Sequence, residues 1–163
     1  MQQLMTVRGE NLKDTPWDRY PRPQMRRDLW MNLNGAWEFA FDHGNSGENR
    51  GMHLENAAYP LTIQVPFCPE SRLSGIAEHF AEGIGLWYRR SFTLPEGFNR
   101  GRVLLHIGAA DQELTCYVNQ KQVGTHAGID AMTFDITDAL QDTNELLIRV
   151  TDDLRDLSCP YGK

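Results

Sequence analysis

The chain has 163 residues, 16 Lys+Arg against 22 Asp+Glu for a formal charge of −6, and 40% hydrophobic residues. That length supports one core and excludes a (β/α)8 barrel, which needs about 250 residues. Residues 1–30 hold six Lys/Arg and four acids while the remainder holds ten and eighteen, and so acidic a body disfavours nucleic acid and anionic membranes as partners.

No basic stretch followed by an apolar run opens the chain, and no window approaches the roughly 18 apolar residues of a membrane span. A cytoplasmic location is expected, with periplasmic or secreted locations open for a chain whose signal peptide has been removed. Cys68, Cys116 and Cys159 are too few and too widely spaced for a disulfide framework or a zinc pattern. The histidines have no ligand-like spacing, so neither cofactor nor metal is expected.

Residues 1–30 lack steady periodicity and contain Pro16, Pro21 and Pro23, which disfavours helix and central strand alike. They read as an extended arm pinned by Trp17, Tyr20 and Trp30. Residues 36–41 follow as a first strand, with Trp37, Phe39 and Phe41 on one face. Residues 42–51, rich in Gly, Asn and Ser, read as a loop. LTIQV at 61–65 alternates and stops at Pro66, and residues 66–85 form a long ordered loop with room for one helical turn.

The next strand, 86–94, sets Tyr88, Arg90, Phe92 and Leu94 against Trp87, Arg89, Ser91 and Thr93. Phe92 and Leu94 favour the Tyr88 face as core. Strands at 102–108 and 113–119 turn Val103, Leu105, Ile107, Leu114, Cys116 and Val118 inward. A tight turn at Asn119-Gln120-Lys121 leads to a short strand, QVGTH. Residues 132–136 form a strand, and 137–144 a single turn capped by Thr137 or Asp138. ELLIRV at 145–150 is the last clear strand, with Glu145 as a turn or edge residue. Eight short strands with turn signals between them indicate an all-β antiparallel sandwich.

Five pieces in this order carry a resemblance: PRPQMRRDLWMNLNGAWEFAF (21–41), VPFCPESRLSGI (65–76), LWYRRSFTLPEGF (86–98), RVLLHIGAADQELTCYVNQKQVGTHAGIDAMTFDIT (102–137) and NELLIRVTDD (144–153). The chain resembles the N-terminal sugar-binding domain of glycoside hydrolase family 2, the β-galactosidase and β-glucuronidase group. The resemblance implies a jelly-roll β-sandwich of the galactose-binding type. It spans residues 31–163 behind the 1–30 arm and is expected to stop short of its final strand. The implied partners are a β-glycoside sugar and downstream immunoglobulin-like and (β/α)8 barrel domains, with the two catalytic glutamates in the barrel. An oligomer is also open.

The same resemblance sets Asp111, in GAAD, where family members carry an Asn or Asp that reaches the non-reducing sugar. His126 and Gly128 match the H-x-G-G-Y segment, while Ile129 and Asp130 depart from it and Gln120 replaces the hairpin glycine. Asp111, His126, Trp87 and Asp130 form the candidate carbohydrate-binding set, and no catalytic residue is expected in this chain. Three of them have a second, structural reading: an Asx turn for Asp111, core packing for Trp87 (and for Tyr88 and Tyr117), a backbone-bonded ring for His126. Asp152, Asp153 and Asp156 resemble a weak cation site but equally a strand end dressed with surface acids. Two further roles stand beside the accessory domain: an autonomous lectin-like module and a structural assembly module.

Overall fold

The computed structural model describes residues 6–81 and 83–152. Cys159, Asp153 and Asp156 lie outside the described residues. Eight strands form: β1 (Gly35–Asp42), β2 (Leu61–Val65), β3 (Gly85–Phe92), β4 (Leu104–Ile107), β5 (Glu113–Val118), β6 (Lys121–Ala127), β7 (Met132–Asp135) and β8 (Asn144–Thr151). Six make one sheet in the order β2-β1-β3-β8-β5-β6, and β4 pairs with β7 in a second. The fold is all-β, as the alternation indicates. Two compact units divide the chain, Met1–Trp37 with Leu61–His79, and Glu38–Pro60 with Phe80–Lys163.

In the first unit the arm is less uniformly extended than its prolines suggest. Val7–Glu10 forms one helical turn, α1, capped by Thr6, whose Oγ1 accepts from the Gly9 amide at 3.1 Å. Pro23–Met25 adds a 3-10 turn. The expected aromatic pins make contacts without being buried: Trp17, 69% exposed, meets the Phe67 ring at 6.1 Å, and Trp30, 37% exposed, meets Tyr20 at 5.1 Å. Amides add to the pinning. Asn32 Nδ2 donates to the Trp17 carbonyl at 3.1 Å, Asn34 Nδ2 to Pro16 at 3.2 Å and Gln64 Nε2 to Asp14 at 2.6 Å. The helical turn in the 66–85 loop forms at Arg72–Ser74, where Ser71 accepts from the Leu73 amide.

In the second unit the pairing registers put Phe39, Tyr88, Ile148, Cys116 and Gly124 in one row across the sheet. Gly124 is where the second sheet meets the first, because the Phe134 ring of β7 occupies the place of a Cβ. The neighbouring rows of this face carry Leu86, Leu114, Val118, Leu146 and Val150, each buried.

The opposite face is covered as well. Ala40, Trp87, Tyr117 and Leu147 pack there with Met52 and Tyr59 from the 42–60 segment. The Tyr88 face is a core side, as Phe92 leads one to expect, but not the only one, since Trp87 on the other face is fully buried and Tyr88 itself only half-buried. Strand β3 is internal, so both of its faces are packed.

The 42–60 segment is fastened by its own turn and by the sheet below. Asp42, fully buried, accepts from the Gly47 amide at 2.5 Å and from Arg50 at 2.6 Å. Burial pushes its pKa up, but the Gly47 amide, Arg50 and the Ser46 amide outweigh that and hold it below the usual carboxylate range. Below it, Tyr117 donates to Glu48 at 2.5 Å and Arg149 to Asn45 at 2.8 Å. Arg89 forks onto Glu38 at 2.7 and 3.1 Å, donates to the Ala57 carbonyl and lies 4.4 Å over the Tyr59 ring. Arg89 is therefore a structural clamp.

Two other local expectations change. The turn after β7 is a 3-10 turn at Thr137–Ala139 whose N-cap, Ile136, makes no side-chain cap bond. The bonding comes from Asp135, which accepts from the Thr137 amide and hydroxyl at 3.1 and 2.5 Å. Those two bonds, then Arg102, bring its pKa down to about 2. Glu145 is not on an edge, since β8 runs between β3 and β5.

The β5–β6 turn has Asn119 at φ 50° and Gln120 at φ 67°, a left-handed pair of the kind type I′ turns require. Asn tolerates this conformation and Gln does not. Replacing Gln120 with Gly is expected to stabilise the fold by about 0.5–1 kcal/mol, read as a higher urea midpoint with an unchanged m-value.

Candidate functional site

Asp111 and Asp130 sit on two loops at the β5 start, and His126 lies near the end of β6 beside them. Gly108 ends β4, and residues 109–112 turn the chain into β5. The Gln112 amide donates to the Thr151 carbonyl at 3.1 Å, and the Gln112 carbonyl accepts from the Gly128 amide at 2.9 Å. The Asp111 loop is thus tied to the end of β8 and to the β6–β7 loop, which carries Asp130 and follows His126 near the end of β6.

His126 Nε2 lies 3.1 Å from Asp130 Oδ1, with the His126 side chain 23% and the Asp130 side chain 76% exposed. Gly128 between them takes φ 135°, and a Cβ there would stand 2.9 Å from Asp130 Oδ1. The glycine lets the pair close across the turn. Three of the four candidates therefore gather at one rim, Asp111 half-buried and Asp130 exposed.

Trp87 does not join them. Its indole is fully buried and stacks near Tyr117, with ring centroids 6.2 Å apart. No face of it is free for a sugar ring, so its candidate role is corrected to core packing. Tyr117 is buried too, and Tyr88 packs on Phe39 at 5.0 Å.

Glu113 is the residue that pattern reading missed. It opens β5 next to this rim, exposed, and its Oε2 accepts from the Thr151 hydroxyl at 3.3 Å. Its position directly after Asp111-Gln112 was the available signal. Cys116 offers no chemistry, because burial drives its thiol pKa up to about 12. His106 is bonded to Thr133 at 2.8 Å. Among the described residues, no group of three or more His, Cys, Asp and Glu is arranged to hold a metal ion. No described helix is long and apolar enough to cross a membrane.

The described surface includes two shallow grooves. One of about 410 Å³ is lined by Leu12, Lys13, Asp14, Gln64 and Arg72 among others. The other, about 270 Å³, is lined by Glu55, Ser91, Asn119, Gln120, Gln141, Thr143, Asn144 and Glu145. Neither takes in any of the four candidates.

Eight strands in this order, with a rim of loops at the β5 start, define the class: the chain resembles, in sequence and in fold, the N-terminal sandwich domain of glycoside hydrolase family 2. Within that family the relatives found are β-glucuronidases. One from Paenibacillus borealis is 23% identical over 111 residues, 67% of this chain and 18% of its own length. Another, from Bacteroides fragilis, is 28% identical over 127 residues, 76% of this chain and 16% of its own.

A Ruminococcus gnavus β-glucuronidase structure superimposes with a TM-score of 0.71 at 22% identity, covering 93% of this chain and 25% of that one. A Lactobacillus rhamnosus β-glucuronidase gives 0.63 at 24%, covering 75% and 21%. These structures show the fold. No family profile matches the chain. The chain spans less than a fifth of the curated relatives it matches.

Proposed function

We propose that this chain is the non-catalytic front domain of a family 2 β-glycosidase of the β-glucuronidase type. In this reading it supports a catalytic barrel supplied by the rest of a longer polypeptide and helps to orient the non-reducing sugar. The observation that carries the reading is the Gly128–Gln112 hydrogen bond at 2.9 Å, which joins the Asp111 loop to the end of β6 and the loop that carries Asp130. Relatives several times longer, each named a β-glucuronidase, lend it further support.

Asp111 suits orientation chemistry. A carboxylate accepts more than one hydroxyl hydrogen bond and holds a ring in register. Against a uronic acid it would face hydroxyls, since two carboxylates in contact repel. Bond cleavage needs its own carboxylate pair, about 5–5.5 Å apart for retention or about 6.5–9.5 Å for inversion. That pair belongs to the barrel in this reading, and the front domain contributes geometry.

The test is made in the full-length polypeptide. Replacing Asp111 with Ala should lower kcat/KM for an aryl β-glucuronide about 10- to 100-fold, the loss of one charged hydrogen bond. Asp111→Asn, which keeps an acceptor, should recover part of it. Unchanged kinetics in Asp111→Ala, or a stop codon directly after Lys163 in the genome, would overturn the reading.

A further inference from the structure

The groove of about 270 Å³ lies wholly within the second unit, at the far end of β5 from Asp111. The strand between them spans about 20 Å. Four carboxamides, two hydroxyls and two carboxylates line the groove, and no apolar side chain does. The groove of about 410 Å³ differs in this respect, since Leu12 and Leu73 are part of its wall. A wall made only of hydrogen-bonding groups offers nothing to an apolar ligand.

Two of the carboxamides hold that wall in place. Asn119 and Asn144 bond to each other at 2.9 Å, and between them they engage backbone groups of Ala139, Gln141 and Glu145. The remaining neutral groups are uncommitted. The side chains of Ser91, Gln120, Gln141 and Thr143 have no hydrogen-bond partner within the chain among the described residues. Gln120 stands at φ 67°, where glycine is less strained, and its carboxamide faces the groove's space. A fixed wall with free donors and acceptors loses little entropy when a ligand arrives.

The chemistry of the wall selects the occupant. Each carboxamide sets N–H donors beside a carbonyl acceptor, and neighbouring hydroxyls on a sugar ring both donate and accept in return. Glu55 and Glu145 add acceptors alone. Glu55 is exposed with no ion pair among the described residues, and Glu145 meets only Arg89, 3.9 Å away and already forked onto Glu38. Burial foremost raises the Glu145 pKa, Arg89 pulls against it, and Glu38 and Glu55 raise it further. A groove of this charge repels carboxylates and phosphates and receives hydroxyl donors. A bare cation would leave the carboxamide and hydroxyl donors unused. The volume falls just under the roughly 300–1,000 Å³ of drug-sized pockets, which suits a single ring.

We propose that this groove binds one uncharged, hydroxyl-rich sugar ring, the Gln120 and Gln141 carboxamides bridging neighbouring hydroxyls while Glu55 and Glu145 accept from others. No aromatic face lines it, so the binding is weak, with a Kd on the order of 1 mM. The proposal rests on the groove alone and is independent of the glycosidase reading.

Titration of the 163-residue chain with methyl β-D-glucoside and methyl β-D-galactoside, followed by proton–nitrogen correlation NMR, tests it. Saturable shifts are expected at the Gln120 and Gln141 side-chain amides and at the Ser91 and Glu145 backbone amides with at least one of the two glycosides. Glucuronate should bind about 10-fold more weakly, and Glu55→Gln should narrow that gap. Gln120→Gly, which relieves the turn and removes one carboxamide, should weaken glycoside binding about 3- to 10-fold without loss of stability. Butylammonium, a cation without hydroxyls, should leave the side-chain amides unshifted. The absence of a saturable shift with either glycoside would overturn the proposal. So would glucuronate or butylammonium binding as tightly as the glycosides, or an affinity unchanged in Gln120→Gly. Shifts confined to Gln112 and Gly128 would overturn it too, and would leave the Asp111 reading standing.

Discussion

Gly47→Ala is expected to lower the melting temperature by about 6–12 °C, from a loss of about 3 kcal/mol. A Cβ at this position would stand 2.6 Å from Trp87 Nε1, 2.7 Å from Asp42 Oδ2 and 2.8 Å from Met52 Sδ. None of the three can give way cheaply. Trp87 and Asp42 are fully buried and Met52 is 8% exposed, and Asp42 is bonded to the Gly47 amide itself. A displaced carboxylate would leave that amide and Arg50 without their acceptor. The methyl therefore acts twice, by crowding the indole and by loosening the turn that seats the 42–60 segment. Gly44→Ala in the same turn meets only Ser46 Oγ at 3.4 Å and should change stability by less than about 0.5 kcal/mol. Thermal melts followed by near-ultraviolet circular dichroism compare the two. Equal melting points would mean that the Asp42–Gly47 closure does not hold the segment.

What that segment does was hard to see from the sequence. The strands at 36–41, 61–65 and 145–150 declare themselves because side chains alternate with period two wherever a sheet has a packed face. Trp87 and Tyr88 gave contradictory signals for a physical reason: β3 is internal and both of its faces are covered, so alternation stops reporting which side is core. The second cover is made by Met52, Tyr59 and Ala57, isolated among turn residues without any period. Its fasteners, Tyr117 to Glu48 and Arg149 to Asn45, join positions 69 and 104 residues apart. No local pattern announces such pairs.

The candidate rim was legible in its parts and not in its assembly. Asp111 and His126 drew notice through the family resemblance, whereas the backbone bond from Gly128 to Gln112 that ties the Asp111 loop to the end of β6 is a tertiary fact. Trp87 illustrates the converse error, for an aromatic at strand parity looks the same whether its face meets a ligand or a neighbouring segment. In the arm, three prolines suggested an extended path, yet Thr6 caps a helical turn before the first of them. A cap needs only one side-chain oxygen and a free amide three residues on.

Asn144→Ala is expected to cost about 3 kcal/mol or more, although the side chain it truncates touches no candidate site residue. Asn144 is 1% exposed. Its Oδ1 accepts from the Gln141 amide at 2.7 Å and from Asn119 Nδ2 at 2.9 Å, and its Nδ2 donates to the Gln141 carbonyl at 2.9 Å. Asn119 in turn donates to the Ala139 carbonyl and accepts from the Glu145 amide. These bonds fasten the β5–β6 turn to the β7–β8 connection, where backbone groups have no ladder partner. Truncation leaves a donor and an acceptor of Gln141 partnerless, at about 1–3 kcal/mol each. Asn119→Ala should cost a similar amount, and the double variant clearly less than the sum, because the first loss already breaks the shared bond. Urea unfolding of the two single variants and the double variant measures the coupling. Strict additivity would show that the two amides act separately, and the turn would then owe its position to the strands alone.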